Sequence, residues 1–413
     1  MDKKRRTLLV LILGSLSAIG PLSIDMYLPG FPEIAAQLHT SVDNVAYSLS
    51  SFFIGICAGQ LICGPLLDRF GRKKPLYAGL IIYIIASIGC ALSTSVEMLI
   101  AFRFLQAIGG CVGMVAPSAI VRDLFPVNES AKVFSLLILV LGVSPIIAPT
   151  VGSYLIASFG WQSVFIVLSI IVALLFTAVY FLLPESKSPD PEFSLKPKTI
   201  LSSYLNVLKE PQFYTFAFAG AIAAAGLFAY LGGSPFVFMN LFKVSPQVYG
   251  WIFAIIAAGL ITSSQFNTVL LRKYNSSQII RVTLMVQASV GILLFTGSAL
   301  GWLNLYATIA LIFLFLSCQG FTFPNSAALS LAPFKKEAGS ASALMGAIQM
   351  ALGAFASAMV GYINNGTSLP MTGIMASCAL LGFLVLTIGH FKIKQASKIE
   401  DVEEQAFEQI ERY

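Results

Sequence analysis

The chain has 413 residues, 57% of them hydrophobic and only 11% charged, with a formal net charge of +6; soluble domains average about 25% charged residues. This composition excludes a soluble globular protein and reads as a polytopic membrane protein. The excess positive charge is spread over short loops between apolar runs, so it reads as topology bias and not as a nucleic-acid footprint.

Lys3 to Arg6 precede a first apolar run that is long and lacks a small-residue cleavage site, so it is read as a permanent span and not a signal peptide. Predominantly apolar windows fall at about 7–30, 44–67, 75–95, 97–121, 132–158 and 161–183, then 212–239, 247–271, 277–300, 303–331, 340–364 and 369–392, each long enough to cross a bilayer. The expected fold is all-α, with twelve transmembrane helices in two six-helix bundles at 1–183 and 212–393. Between them lies a linker at 184–211, and a tail follows at 394–413. The linker's 199–209 stretch has apolar residues at helical spacing, which suits either an amphipathic helix on the membrane surface or a solvated linker. The acidic 400–411 stretch reads as a frayed or solvated helix.

The halves look like copies. Leu67-Asp68-Arg69-Phe70-Gly71 has a counterpart in Leu271-Arg272-Lys273-Tyr274-Asn275, and Gly152-Ser153-Tyr154 in Gly361-Tyr362. Such duplication is a mark of transporters with a binding site between two bundles. Arg69, Arg72, Lys73, Lys74, Arg122, Lys132, the linker lysines, Arg272, Lys273, Arg281, Lys335 and Lys336 share one side, whereas Lys243 stands on the other. The positive-inside rule then puts both termini and the linker in the cytoplasm of a cell (inner) membrane protein. The six cysteines lie in or at the ends of apolar runs without CxxC spacing, and His39 and His390 are the only histidines. Neither disulfides nor a metal site is expected.

In the first span, Gly20-Pro21-Leu22-Ser23-Ile24-Asp25-Met26-Tyr27-Leu28-Pro29-Gly30 carries one carboxylate. An acid there costs roughly 2.5–3.5 kcal/mol on insertion, and no packing role requires it. At 1.5 Å per residue Asp25 falls about 27 Å from Thr7, towards the outer half of the membrane.

After the second span comes Gly64-Pro65-Leu66-Leu67-Asp68-Arg69-Phe70-Gly71-Arg72-Lys73-Lys74. Pro65 and Gly71 are expected to bound a tight turn, with the next helix starting at Pro75. A topology loop accounts for the basic residues but not for Asp68 or the glycines. This loop resembles the signature loop of the major facilitator superfamily. The resemblance implies a cytoplasmic latch of Gly64, Asp68, Gly71 and Arg72, with Asp68 at the N-terminus of the eleventh helix and Arg72 paired with Asp123. In the fourth span Arg103 and Gln106 share one helix face. That block resembles the RxxQ motif of drug:proton antiporters, whose arginine faces the central cavity. Pro145, Pro149 and Gly152 in the fifth span permit close helix approach and a kink. They are similar to the family's antiporter motif, although Ala148 and Ser153 replace glycines. With these in place, Ser23-Ile24-Asp25-Met26-Tyr27-Leu28-Pro29 resembles the first-helix motif of the Bcr/CflA (bicyclomycin and chloramphenicol resistance) antiporters.

The resemblance implies a monomeric multidrug efflux transporter driven by protons, with no cofactor and no nucleic-acid partner. Asp25 would be the protonation and coupling site, with Arg103 as a nearby counter-charge and Gln106 beside it. Substrate-cavity candidates are Met26, Tyr27, Gln60, Tyr230, Phe236, Gln319, Phe323 and Asn325. An importer or uniporter of a small metabolite would share the fold. A membrane enzyme would need a pairing such as HExxH or Ser with His, and a channel a filter or charge ring, neither of which the chain contains. The orientation has a direct test. Cysteines placed at Asn365 and Ser186 should react with an impermeant maleimide on intact cells only at 365.

Overall fold

The computed structural model describes residues 3–125, 127–190, 195–334 and 338–411. Lys335 and Lys336 lie outside the described residues, as do the side chains of Lys3 to Arg5, Lys132 and the tail from residue 392. The first span consists of α1 (Lys3–Asp25), a 3-10 turn (Leu28–Gly30) and α2 (Phe31–Gln37). Five more helices complete the first half: α3 (Val42–Phe70), α4 (Lys73–Ala91), α5 (Val96–Leu124), α6 (Val127–Phe159) and α7 (Gln162–Leu182). A short α8 (Pro197–Lys209) leads to α9 (Pro211–Pro235), which runs into a π-helical turn (Phe236–Leu241). Then come α10 (Pro246–Leu270), α11 (Ser276–Ala299), α12 (Leu305–Leu331), α13 (Ala338–Tyr362) and α14 (Leu369–Glu411). Twelve of these stretches are long and apolar enough to cross a membrane. A chain this apolar has to satisfy its backbone within each segment, which helices do.

The end of the bundle that carries the Gly71–Arg72 turn, α8 and the tail is here termed the basic end, and the opposite one the far end. In the first half α1 packs on α5 and α6, α3 on α5, and α4 on α5 and α7. The second half repeats this with α9 on α12 and α13, α10 on α12, and α11 on α12 and α14. Two seams, α3 with α13 and α6 with α10, join the halves. The repeat reaches single torsions. His39 (φ 53°) and Lys243 (φ 55°) are the only non-glycine residues with positive φ among those described. Each stands two residues before a serine N-cap, Ser41 or Ser245, whose hydroxyl accepts a backbone N–H of the following helix.

Close packing on α6, within the first half and across the α6–α10 seam, needs small residues. A Cβ on Gly152 of α6 would collide with the Met26 carbonyl oxygen, and one on Gly250 of α10 would press on the Pro149 and Thr150 backbone. Pro145 and Pro149 lie inside α6, which is assigned as a single helix.

Two expectations need correcting. Pro65 does not bound a turn: α3 runs through it to Phe70, and the turn is confined to Gly71 (φ 81°) and Arg72, with α4 starting at Lys73 and not at Pro75. The α8 helix is amphipathic, yet its apolar face does not simply lie on the membrane surface. Tyr204 and Val207 are buried with Phe213 and Ala217 of α9 and Ala341 and Leu344 of α13. The two glycines of the first half make a contrasting pair. Gly152→Ala should lose stability by about 1–3 kcal/mol through overpacking, whereas Gly64→Ala, which meets nothing within 4 Å, should be neutral or stabilising, as read by thermal melting of the two variants in detergent.

Candidate functional site

Arg103 of α5 is fully buried, at 0% exposure. Its Nη1 donates to Gln106 Oε1 at 2.6 Å, and Gln106 Nε2 donates in turn to Ser87 Oγ of α4 at 2.7 Å. The Arg103 guanidinium lies 4.3 Å from the Tyr27 ring centroid, 4.1 Å from that of Phe52 and 5.8 Å from that of Phe165. Its Nε and Nη2 have no hydrogen-bond partner. Ring faces therefore stand where a carboxylate would be expected, in a setting where desolvation strengthens cation–π attraction. Arg103 thus points into the interior of the first half and not, as expected, into a central cavity.

The same geometry separates it from Asp25. Ser23, near the end of α1, and Tyr27, just beyond it, both turn into the first half. Ser23 Oγ meets Tyr83 OH of α4 at 2.6 Å, and Tyr27 stacks on Arg103 with its OH 3.4 Å from Ser48 Oγ. By the 3.6-residue period Asp25, two residues on from Ser23, lies on the other side of the helix. It is the last residue of α1, 4% exposed, and within electrostatic reach of Tyr230 and Tyr249 of the second half. The expected Asp25–Arg103 counter-charge is not formed; the carboxyl has no hydrogen-bond or ion-pair partner among the described residues. The 3-10 turn after it packs on α6, α9 and α10, so the break in the first span sits where the halves meet.

At the basic end Arg72 Nε donates to Asp123 Oδ2 at 2.8 Å and Nη2 to Asp123 Oδ1 at 3.3 Å, while Nη1 reaches Asp68 Oδ1 at 3.2 Å. Burial works against this guanidinium, yet the hydrogen bond and charge of Asp123, then of Asp68, outweigh it and hold the Arg72 pKa above its ordinary value. Among the described residues Asp68 makes no hydrogen bond or ion pair with the first turn of α13, where the resemblance had placed it. Lys187 Nζ holds it at 2.8 Å, and Asp68 and Ser340 face a common cavity. Sequence reasoning missed Glu185, whose carboxylate accepts the Arg72 and Lys73 backbone N–H groups at 2.8 and 3.2 Å and so caps α4. An acid directly after the sixth span, at the second position of the linker, was the available signal.

The cavity, about 640 Å³, lies at the basic end between the halves, with Gln60, Asp68, Met114, Arg122, Tyr204 and Ser340 in its wall. The far end is joined instead, Asn364 Nδ2 donating to Asp43 Oδ2 at 2.5 Å. Of the cavity candidates only Gln60 lines this space. Met26 is packed against Gly152, Tyr27 against Arg103, and Tyr230 against Phe253. Phe236 opens the π-helical turn, half-buried against the core. Asn325 donates to Asn267 at 2.7 Å and Gln319 faces Gln287 at 3.5 Å, both inside the second half. Phe323 is 47% exposed.

Residues 13–358 match the sequence profile described as Major Facilitator Superfamily. The chain is 36% identical over 387 residues to an uncharacterized MFS-type transporter, YdgK, of Bacillus subtilis, covering 92% of this chain and 95% of that one. It is 29% identical to a bicyclomycin resistance protein homolog of Haemophilus influenzae (93% and 96% covered) and 30% identical to the multidrug resistance protein MdtL of Escherichia coli (89% and 91%). Among solved structures, a D-xylose-proton symporter superposes with a TM-score of 0.75 at 14% identity, over 92% of this chain and 97% of that one.

The aromatic box around Arg103 yields a prediction. Arg103→Lys keeps a cation but loses the plane that stacks between Tyr27 and Phe52. It should lower stability by on the order of 1–2 kcal/mol, more than Arg122→Lys at the exposed cavity mouth, by thermal melting.

Proposed function

The chain belongs to the major facilitator superfamily and is a multi-pass membrane transporter, not an enzyme; from this we propose that it exports small, largely apolar drugs in exchange for protons by alternating access, with Asp25 as the coupling site. The basic end faces the cytoplasm in this reading, as the Lys and Arg bias argues. The relatives named for bicyclomycin and multidrug resistance support drugs as the solutes.

One observation carries the coupling role. Asp25 is a buried carboxyl with no partner among the described residues, at the broken end of α1, where the chain meets the second half. Ionisable groups at such depth are retained for pathways and proton relays. A group that is alternately protonated and charged changes the fit between the halves, and a ligand that prefers one of those states shifts the population. Protons need no cofactor, and the alternating motion would exchange the basic-end cavity for one at the far end. The latch residues Asp68, Arg72 and Asp123 would rebuild their contacts in that exchange, and Arg103 with Gln106 would fix the first half as a rigid unit.

The test is Asp25→Asn in inverted membrane vesicles with an imposed acid interior. The wild-type chain should accumulate a test drug and Asp25→Asn should not, while the variant inserts and melts like the parent. Undiminished accumulation by Asp25→Asn would refute the coupling role, and uptake driven by the opposite gradient would refute export.

A further inference from the structure

Pro65 sits inside α3 and has no N–H, so the carbonyl of Leu61, one turn earlier, loses its helical donor. A buried carbonyl is costly to leave unpaired. The Tyr204 hydroxyl of α8 donates to that oxygen at 3.0 Å. The donor is otherwise anchored mainly to the second half. Its ring is packed with α9 and α13 residues, and the neighbouring Ser203 Oγ lies 3.2 Å from Ser340 Oγ of α13. The bond therefore runs from one half to the other, in the wall of the basic-end cavity that also holds Gln60, Asp68 and Ser340.

We infer that the Tyr204–Leu61 hydrogen bond is a strut between the halves that stabilises the arrangement with the basic-end cavity open, and that Pro65 is the device that creates its acceptor. Closing the cavity brings the Asp68 end of α3 towards the first turn of α13, which shifts α3 against the element that carries Tyr204 and breaks the bond. The other polar tie described between the halves, Asp43 with Asn364, is at the far end and favours the same arrangement. The strut acts whatever solute is carried and whichever ion drives it, so it stands apart from the coupling role of Asp25.

The experiment is a double-mutant cycle on the full chain, read as the distance between spin labels on cysteines placed at Lys74 and Arg281, exposed basic-end positions on opposite halves, with the six native cysteines replaced by serine. Tyr204→Phe keeps the ring and removes only the donor; it should lower the ratio of open to closed populations about two- to tenfold, the range of one net hydrogen bond. Pro65→Ala restores a helical N–H to Leu61 and should lower the ratio similarly. In the Pro65→Ala background Tyr204→Phe should then have almost no further effect. An unchanged or higher ratio in Tyr204→Phe, or an equal drop in both backgrounds, would overturn the strut.

Discussion

A polar atom inside a bilayer has to find its partner within the protein, and that constraint organises this chain from its secondary structure to its working parts. It turns nearly all the backbone into helix, and it makes each exception visible. The first span breaks after Asp25, and the break is packed against Gly152 and the second half, where its backbone is enclosed by protein. Proline frees a carbonyl in α3, and a tyrosine from another element fills it. The Gly71–Arg72 turn ends with the first N–H groups of α4 bound by Glu185.

The first span also shows how one short run serves two sets of neighbours. Ser23 and Tyr27 tie it to α3, α4 and α5, while Asp25, on the other side of the same turn, is left to the second half. The polar groups are divided accordingly. Among the described residues the first half buries the ionisable side chains Asp25, Arg72 and Arg103, while the buried polar side chains of the second half are amides and hydroxyls, among them Asn267, Gln287, Gln319 and Asn325.

The spans, the duplication and the basic-end cluster were legible because they follow from period, length and charge. The facing of individual side chains was not. Helices that are apolar almost all round carry no amphipathic stripe to fix their rotation, so aromatic and amide residues were assigned to a cavity by type, and all but Gln60 point elsewhere. A lone acid and a lone base in hydrocarbon invite the reading that they pair. Here aromatic faces serve Arg103, and the two-residue offset between Asp25 and Tyr27 turns the acid away. Pro65 was read as a turn because in water it would break a helix; the hydroxyl that rescues it lies far along the chain.

The box around Arg103 has a consequence for energetics. Its positive charge is fixed to the first half by rings and by Gln106, with no ion-pair partner among the described residues. Any displacement of that half along the membrane normal carries this charge through the transmembrane potential, where one elementary charge crossing fully corresponds to about 2.3 kcal/mol per 100 mV. A displacement of that kind would make the balance of conformations depend on voltage, to the extent that the charge of Asp25, carried by the same half, does not offset it.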